Sequence, residues 1–553
     1  MIIMRFQLAI ERGVMTFISF LRSFYKFLAG RLNFTILLYI SLGILVASVI
    51  FTTTLTTKLQ MTNGDQFISG AIFGNMANGT PMISASHTNL LKLPLLVLEG
   101  VLPQNFTLYV FINSLIIIVA VLLWAILIGR VLGRKIIPLT LLCFAALLMS
   151  SPTLSVNLSM LTIRHIEYPL SLIYILLIMK FIRIQKYHLI FASLLALYLA
   201  ALLINDNFFL YTLVPTSLIG TLFYIHHKGK GREVTYSIVA TLGGVVLSLV
   251  ITKLINLWGV ISMVSGYANA HEFISFHDLG QAISLTISQT LDLFGAFLFG
   301  SEIRKQDIII LLGMVILGIT VYGMVASIKN KHQNNYTPLT KAYLPLFTLF
   351  IYLAYILPGF ANPNNVRYIT GIVFIGTTYF SLGIIYLSRK NQFYYSFAFF
   401  FLILLTVIAI PRAVHAYQDT AVGINRDIAR TKLTSQILKS NDVSTVVTGG
   451  GHFSLWFYSD KKINIVQLEN SCNTPSPWAN NSSWLAPAPK SRSAFLVDLS
   501  YPEHANRVCG IDRVSKIYGT PEKIVPVPKP GETSNQVTTF LLLYNYDIRT
   551  KLR

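Results

Sequence analysis

The chain has 553 residues, 54% of them hydrophobic and only 12% charged, and its mean hydropathy is +0.62. That balance excludes a soluble globular protein, and the length excludes a single-span anchor. The net charge of +21 calls for no nucleic-acid partner, because its placement along the chain accounts for it as membrane topology.

Residues 1–33 form an apolar stretch punctuated by Arg5, Arg12, Arg22, Lys26 and Arg31, the pattern of an amphipathic helix lying on an anionic leaflet. The first bilayer-length run, 34–55, is too long for a signal-peptide core and has no small-residue cleavage site after it, so it is expected to be a retained span. A helix needs roughly 20 apolar residues to cross the hydrocarbon. Further candidate runs fall near 108–128, 136–149, 166–179, 187–204, 208–225, 234–257, 308–328, 342–360, 368–387 and 393–410. The expectation is a polytopic α-helical membrane protein of about eleven transmembrane helices.

Basic residues crowd alternate gaps: Arg130, Arg134 and Lys135; Lys180, Arg183 and Lys186; Lys228, Lys230 and Arg232; Lys329, Lys331 and Lys341; Arg389 and Lys390. The gaps between them hold few (Lys58, Lys92, Arg164, Arg304, Lys305, Arg367) and collect carboxylates instead, among them Asp65, Glu99, Glu167, Asp206, Glu272, Asp278, Asp292, Glu302 and Asp307. Positive-inside bias then sets the N-terminus and residues 1–33 in the cytoplasm. An odd number of spans sets the C-terminus outside a cell membrane. Chemistry is expected on that outer face.

Residues 34–411 form the transmembrane region, with long outer loops at 56–105 and 256–307. After Pro411 the chain turns polar, and 412–553 reads as an extracytoplasmic α/β domain of ordinary size. Its expected elements are a helix over 424–440, a strand over 444–448, a short helix over 453–458, and strands over 463–468, 494–499 and 538–544. Cys472 and Cys509 share this domain. An oxidising compartment permits a disulfide between them, worth about 2–4 kcal/mol; two buried thiols are the alternative. Gly449-Gly450-Gly451 lacks the Lys-Ser/Thr of a P-loop and the spacing of a dinucleotide fingerprint, so it reads as a tight turn from strand to helix.

The first outer loop carries Asn63-Gly64-Asp65-Gln66 just past the first span and Ser86-His87-Thr88-Asn89-Leu90-Leu91-Lys92 further on. An acid near the membrane followed by an imidazole and a cation can bring a base and a positive charge to one lipid headgroup. Asp65 reads either as a catalytic carboxylate or as a turn residue after Asn-Gly. Lys92 either meets phosphate or snorkels; His87 is a substrate contact or a satisfied polar residue. Arg164-His165-Ile166-Glu167 puts a cation, an imidazole and an acid in one turn at the start of a span, lining a site or pairing at i, i+3. Asp206, in Asn205-Asp206-Asn207, sits at the mouth of a cavity or caps the next helix. Arg367 stands at the outer start of the tenth span, before Tyr368. His271, Glu272, His277 and Asp278 have ligand chemistry without zinc spacing; a loop that closes over substrate is the other reading, and the stretch 283–299, broken by Asp292, reads as interfacial or re-entrant.

This layout resembles the polyprenyl-phosphate-sugar-dependent GT-C glycosyltransferases, the group that includes protein O-mannosyltransferase-like and aminoarabinose transferase-like enzymes. It shares with them the span count, the cytoplasmic N-terminus, the large first outer loop with an acid past the first span, and the C-terminal outer domain. The resemblance covers residues 34–411 and implies a general base at Asp65. Those enzymes commonly have a second acid directly afterwards, where this chain has Gln66. Their Arg-Tyr pair is matched by Arg367-Tyr368.

The implied partners are a lipid-linked sugar donor and an extracytoplasmic glycan, lipid or protein acceptor. No organic cofactor is expected, and a divalent metal is an open alternative. Chemistry supports the same roles, since a hydroxyl acceptor needs a base and a departing phosphate needs fixed cations, for which Lys92, Arg164 and Arg367 are available. A transporter or flippase would favour broken helices in repeated halves with mid-membrane charges. A cell-envelope assembly scaffold would need no acid in the first loop.

Overall fold

The computed structural model describes residues 34–60, 82–84, 106–159, 164–182, 188–228, 231–257, 261–263, 273–296, 307–329, 337–359, 361, 363–450, 452, 454–460, 462–469, 471–476, 482–488, 491–499, 508–533 and 536–553. The amphipathic segment read over 1–33 lies outside them.

Each predicted apolar run is occupied by one helix: α1 (Phe34–Gln60), α2 (Phe106–Leu132), α3 (Ile136–Ser150), α5 (Glu167–Phe181), α6 (His188–Asn205), α7 (Phe208–Lys228), α8 (Gly231–Leu257), α10 (Asp307–Lys329), α11 (Leu344–Ile356), α12 (Gly371–Ser388) and α13 (Phe393–Ile408). Helix is the form these runs must take in hydrocarbon, where every backbone N–H and C=O has to be satisfied within the segment. Among the described residues eight helices are long and apolar enough to cross a bilayer, or nine if the bent pair of α3 with α4 (Pro152–Leu158) is one span. The protein is a multi-pass membrane protein. The 15-residue α5 and the apolar part of α7, Phe208–Phe223, are shorter.

The bend between α3 and α4 is 104° and has a local cause. Ser151, held extended at φ −115° and ψ 99° before Pro152, accepts a hydrogen bond from Leu154 N with its side chain. A residue before proline is pushed out of the helical region, and a serine there can cap the helix that follows.

Helix α12 is largely enclosed, with 78% of its apolar window buried. It meets α10 at backbone contact. A Cβ on Gly323 would lie 1.9 Å from Tyr379 O, and one on Gly383 would lie 2.7 Å from Ile319 O, so only glycine permits this crossing. Hydrogen bonds between spans add direction, with Trp124 Nε1 donating to Thr378 Oγ1 at 3.0 Å and Tyr379 OH to Thr340 O at 2.8 Å.

Gaps read as lying on one side come together. Tyr395, after one basic gap, donates its hydroxyl to Lys135 O of another at 3.0 Å. At the opposite end the two long loops meet in a parallel pair, β1 (Met82–Ser84) with β2 (Ile261–Met263), in register Met82 to Ile261. The 256–307 loop also contains the amphipathic α9 (Phe276–Leu293).

The predicted boundary at 411/412 falls inside α14 (Ile410–Ser440), which runs from the last span into the C-terminal domain. There a five-stranded sheet is ordered β4-β3-β5-β7-β6, from β3 (Val443–Thr448), β4 (Asn464–Gln467), β5 (Arg492–Asp498), β6 (Lys523–Pro526) and β7 (Thr539–Tyr544). β3 pairs in parallel with β4 and β5, while β7 runs antiparallel to β5 and β6. The short helices α15 (Ser454–Tyr458) and α16 (Ser482–Leu485) and the helix α17 (Ile511–Tyr518) complete the domain. Strand β6 and helices α16 and α17 are additions to the elements read from sequence. The domain sits on the spans: Tyr109 of α2 meets Phe457 of α15 edge to face at 5.3 Å, and α16 lies against β1.

Cys472 and Cys509 are bonded, with Cα atoms 5.5 Å apart and a sequence separation of 37. Replacing both by serine is expected to lower the stability of the C-terminal domain by about 2–4 kcal/mol. Melting of the full chain with and without reductant checks this. A reductant-insensitive melt would show that the bond constrains nothing.

Candidate active site

The polar residues singled out at the domain end of the helices converge. Arg164 precedes α5 and forms a buried ion pair with Asp206 in the turn between α6 and α7; its Nη2 donates to Asp206 Oδ1 at 3.1 Å. The same carboxylate accepts from Phe208 N at 2.9 Å, capping α7. Of the two readings of Asp206, the helix cap is present, and the same side chain also holds a cation. Glu167 accepts from Asn205 Nδ2 at 3.3 Å, and His165 Nε2 contacts Leu158 O at 2.5 Å.

Aromatic rings frame the cations. The Arg164 guanidinium lies 4.5 Å from the Phe208 ring centroid and 4.6 Å from that of Tyr368, and the Arg367 guanidinium lies 5.6 Å from the same tyrosine. Two cations thus share one ring face system, a favourable arrangement when water is scarce. The 3₁₀ segment Pro363–Ile369 delivers Arg367 and Tyr368 to this spot. Four of the sequence candidates, Arg164, Glu167, Asp206 and Arg367, accordingly belong to one cluster. Asp65, His87 and Lys92 lie outside the described residues. β1 ends three positions before His87 and is tied to the second long loop.

Beside the cluster is an apolar cavity of about 450 Å³ lined by Phe208, Tyr211, Pro215, Leu218, Ala354 and Leu357 among others. Phe208 belongs to both places, with its ring under Arg164 and also in the cavity wall. Sequence reading missed this cavity because Phe208, Pro215 and Ala354 are ordinary span residues until α7 and α11 are set side by side.

A second polar group was only half legible. Asp292, near the end of α9, accepts from Thr153 of α4 and feels the charge of Arg412 in α14. The break it makes in the apolar stretch is visible in sequence, but its partners, 139 residues before it and in α14, are not. His277 and Asp278 are at the start of α9, where Asp278 N donates to Ser275 Oγ at 3.2 Å and Ser275 Oγ to Asp278 Oδ2 at 2.6 Å, an ordinary helix cap. His271 and Glu272 lie outside the described residues, and among the described residues no group of three or more His, Cys, Asp or Glu could hold a metal. Gly450 N donates to Thr448 Oγ1 at 3.3 Å, the tight turn read from the sequence.

Comparison with family models and with curated protein sequences finds no match. Among solved structures, the crystal structure of ArnT from Cupriavidus metallidurans bound to undecaprenyl phosphate matches with a TM-score of 0.50 at 10% identity, covering 90% of this chain and 97% of that one. The two chains share a fold. The likeness extends over the helices and the C-terminal domain together, and it is one of fold.

Proposed function

We propose that this protein is a membrane glycosyltransferase that moves a sugar from a polyprenyl-phosphate carrier to an acceptor outside the cytoplasm, with Asp65 as general base. The observation that carries the proposal is the apolar cavity that shares Phe208 with the Arg164 cluster, in a chain with the fold of ArnT. A polyprenyl phosphate has the same two-part chemistry, an apolar tail joined to an anionic head. The tail lies in the cavity and the head points toward Arg367 and Arg164, beside Tyr368.

The acceptor hydroxyl gives its proton to Asp65, and its oxygen attacks the anomeric carbon of the donor sugar. The bond from that carbon to the phosphate oxygen breaks, and polyprenyl phosphate leaves with the electron pair. A positioned base contributes about 10²- to 10⁴-fold, and fixed cations act on the charge that gathers on the departing phosphate. Arg164, whose charge Asp206 already balances, chiefly orients Tyr368 and Phe208. Arg367 and Lys92 are the cations assigned to the phosphate, and His87 contacts the same headgroup. With the basic loops cytoplasmic, the C-terminal domain faces the outside of the cell membrane and the acceptor arrives from that side.

Filling the cavity tests the lipid half of this reading. Ala354→Trp puts an indole among Phe208, Pro215 and Leu218, and it is expected to weaken binding of a polyprenyl phosphate at least about tenfold, the equivalent of about 1.4 kcal/mol. Binding to protein in nanodiscs, with melting as the control for folding, reads this directly. Unchanged affinity would move the tail elsewhere.

A further inference from the structure

Helix α4 is only seven residues long, yet it lies against α1, α9, α14 and the 3₁₀ segment that carries Arg367. Its direction is fixed at the start by the 104° turn from α3. Polar bonds lock that turn, with Leu154 N donating to Ser151 Oγ at 3.0 Å and Ser155 Oγ donating to Leu148 O across the bend. Leu154 and Leu158 are buried. A helix of this length reaches about 10 Å.

The far end of α4 is bonded on two sides. Ser159, its C-cap, and Thr56 of α1 hydrogen-bond through their buried hydroxyls across a sequence separation of 103. Each hydroxyl has one proton. One of the two therefore donates to a carbonyl of its own helix, at 2.7 Å in either case, and the other donates across. One residue earlier, Leu158 O is among the carbonyls that a helix leaves without an internal partner, and it lies 2.5 Å from His165 Nε2. A carbonyl oxygen only accepts, so Nε2 carries the proton and donates. His165 is 2% exposed and follows Arg164 directly in the chain.

These bonds tie together parts that the proposed reaction must hold in register. Helix α1 ends at Gln60, five positions before Asp65. One bent and buried block thus meets the span that leads to Asp65, the residue beside Arg164 and the segment that carries Arg367. Apolar contacts alone tolerate sliding along a helix. A buried hydroxyl pair does not, because either group left without its partner there is costly. Such precision matters for catalysis, since a displacement of about 1 Å can cost about 10²-fold in rate.

We infer that α4 is the spacer that sets the Asp65 loop against the phosphate cations, with Thr56, Ser159 and His165 as its positioning residues. The inference rests on the glycosyltransferase reading of the site.

Steady-state sugar transfer by the full-length protein in nanodiscs, with donor varied, is the test. Thr56→Val and Ser159→Ala are each expected to lower kcat at least about tenfold with the donor KM unchanged. The double variant is expected to lose no more than either single one, because both changes remove the same bond. Thr56→Ser keeps the hydroxyl and is expected to keep the wild-type rate, whereas His165→Phe keeps a ring without the donor and is expected to lower kcat as Thr56→Val does. Rates are taken per folded molecule, with melting measured on every variant, so a purely structural bond would leave kcat unmoved. Should Thr56→Val fail to fold, Ser159→Ala breaks the bond from the other side. Wild-type kcat in the single variants, or losses that add in the double variant, would overturn the inference and leave the transferase reading standing. Wild-type protein that transfers no sugar from any donor would overturn that reading, and the inference with it.

Discussion

Arg164→Ala is expected to destabilise the membrane region by about 3–5 kcal/mol, the usual consequence of removing one partner from a buried ion pair. Asp206, 4% exposed, would keep its charge without the guanidinium that now contacts both of its oxygens. The same carboxylate caps α7 through Phe208 N, so the damage reaches the wall of the apolar cavity. Arg164→Lys restores a charge but not the planar fork that lies between Phe208 and Tyr368, and an intermediate loss is expected. Adding Asp206→Asn to Arg164→Ala removes the orphaned charge and should recover part of the stability. Thermal unfolding in detergent of the two single variants and the double variant, read as a cycle, measures the coupling. A wild-type melting temperature for Arg164→Ala would show that the pair is not structural and would make Arg164 a direct substrate contact.

The second large effect concerns Asp65. Asp65→Asn keeps size and hydrogen-bonding capacity and removes basicity, so sugar transfer should fall by about 10²- to 10⁴-fold while expression, melting and donor binding stay as in wild type. The loss belongs in kcat rather than in the apparent donor affinity, because a base acts on the transition state. Steady-state kinetics with varied donor separate the two. Transfer that persists in Asp65→Asn would reassign the base, and Asp292, bonded to Thr153 near Arg412, would be the next carboxylate to replace.

How far the sequence reached is visible residue by residue. Each apolar run became a helix because a bilayer leaves the backbone few alternatives, so composition alone carried that step. The disulfide was legible because only Cys472 and Cys509 lie in the C-terminal domain, Cys143 being buried in a span. The grouping of charged residues at one end followed from counting gaps. The partner of Arg164 was not legible, because Glu167 is near in sequence while Asp206 lies 42 residues away, and nothing local distinguishes them. The three-residue strands β1 and β2 are too short for alternation to register. The bend at Ser151 was readable in principle from Ser-Pro but was absorbed into a span count.

The central claim is that this chain cleaves a polyprenyl-phosphate sugar and passes the sugar on. The most direct measurement gives purified wild-type protein in nanodiscs a panel of polyprenyl-phosphate sugars labelled in the sugar, together with extracted cell-envelope acceptors, and follows both free polyprenyl phosphate and labelled product. One donor is expected to be consumed, with label appearing in acceptor in equal amount to the lipid phosphate released. Folded protein that binds polyprenyl phosphate but consumes no donor in the panel would contradict it and point to lipid transport or scaffolding by the same fold.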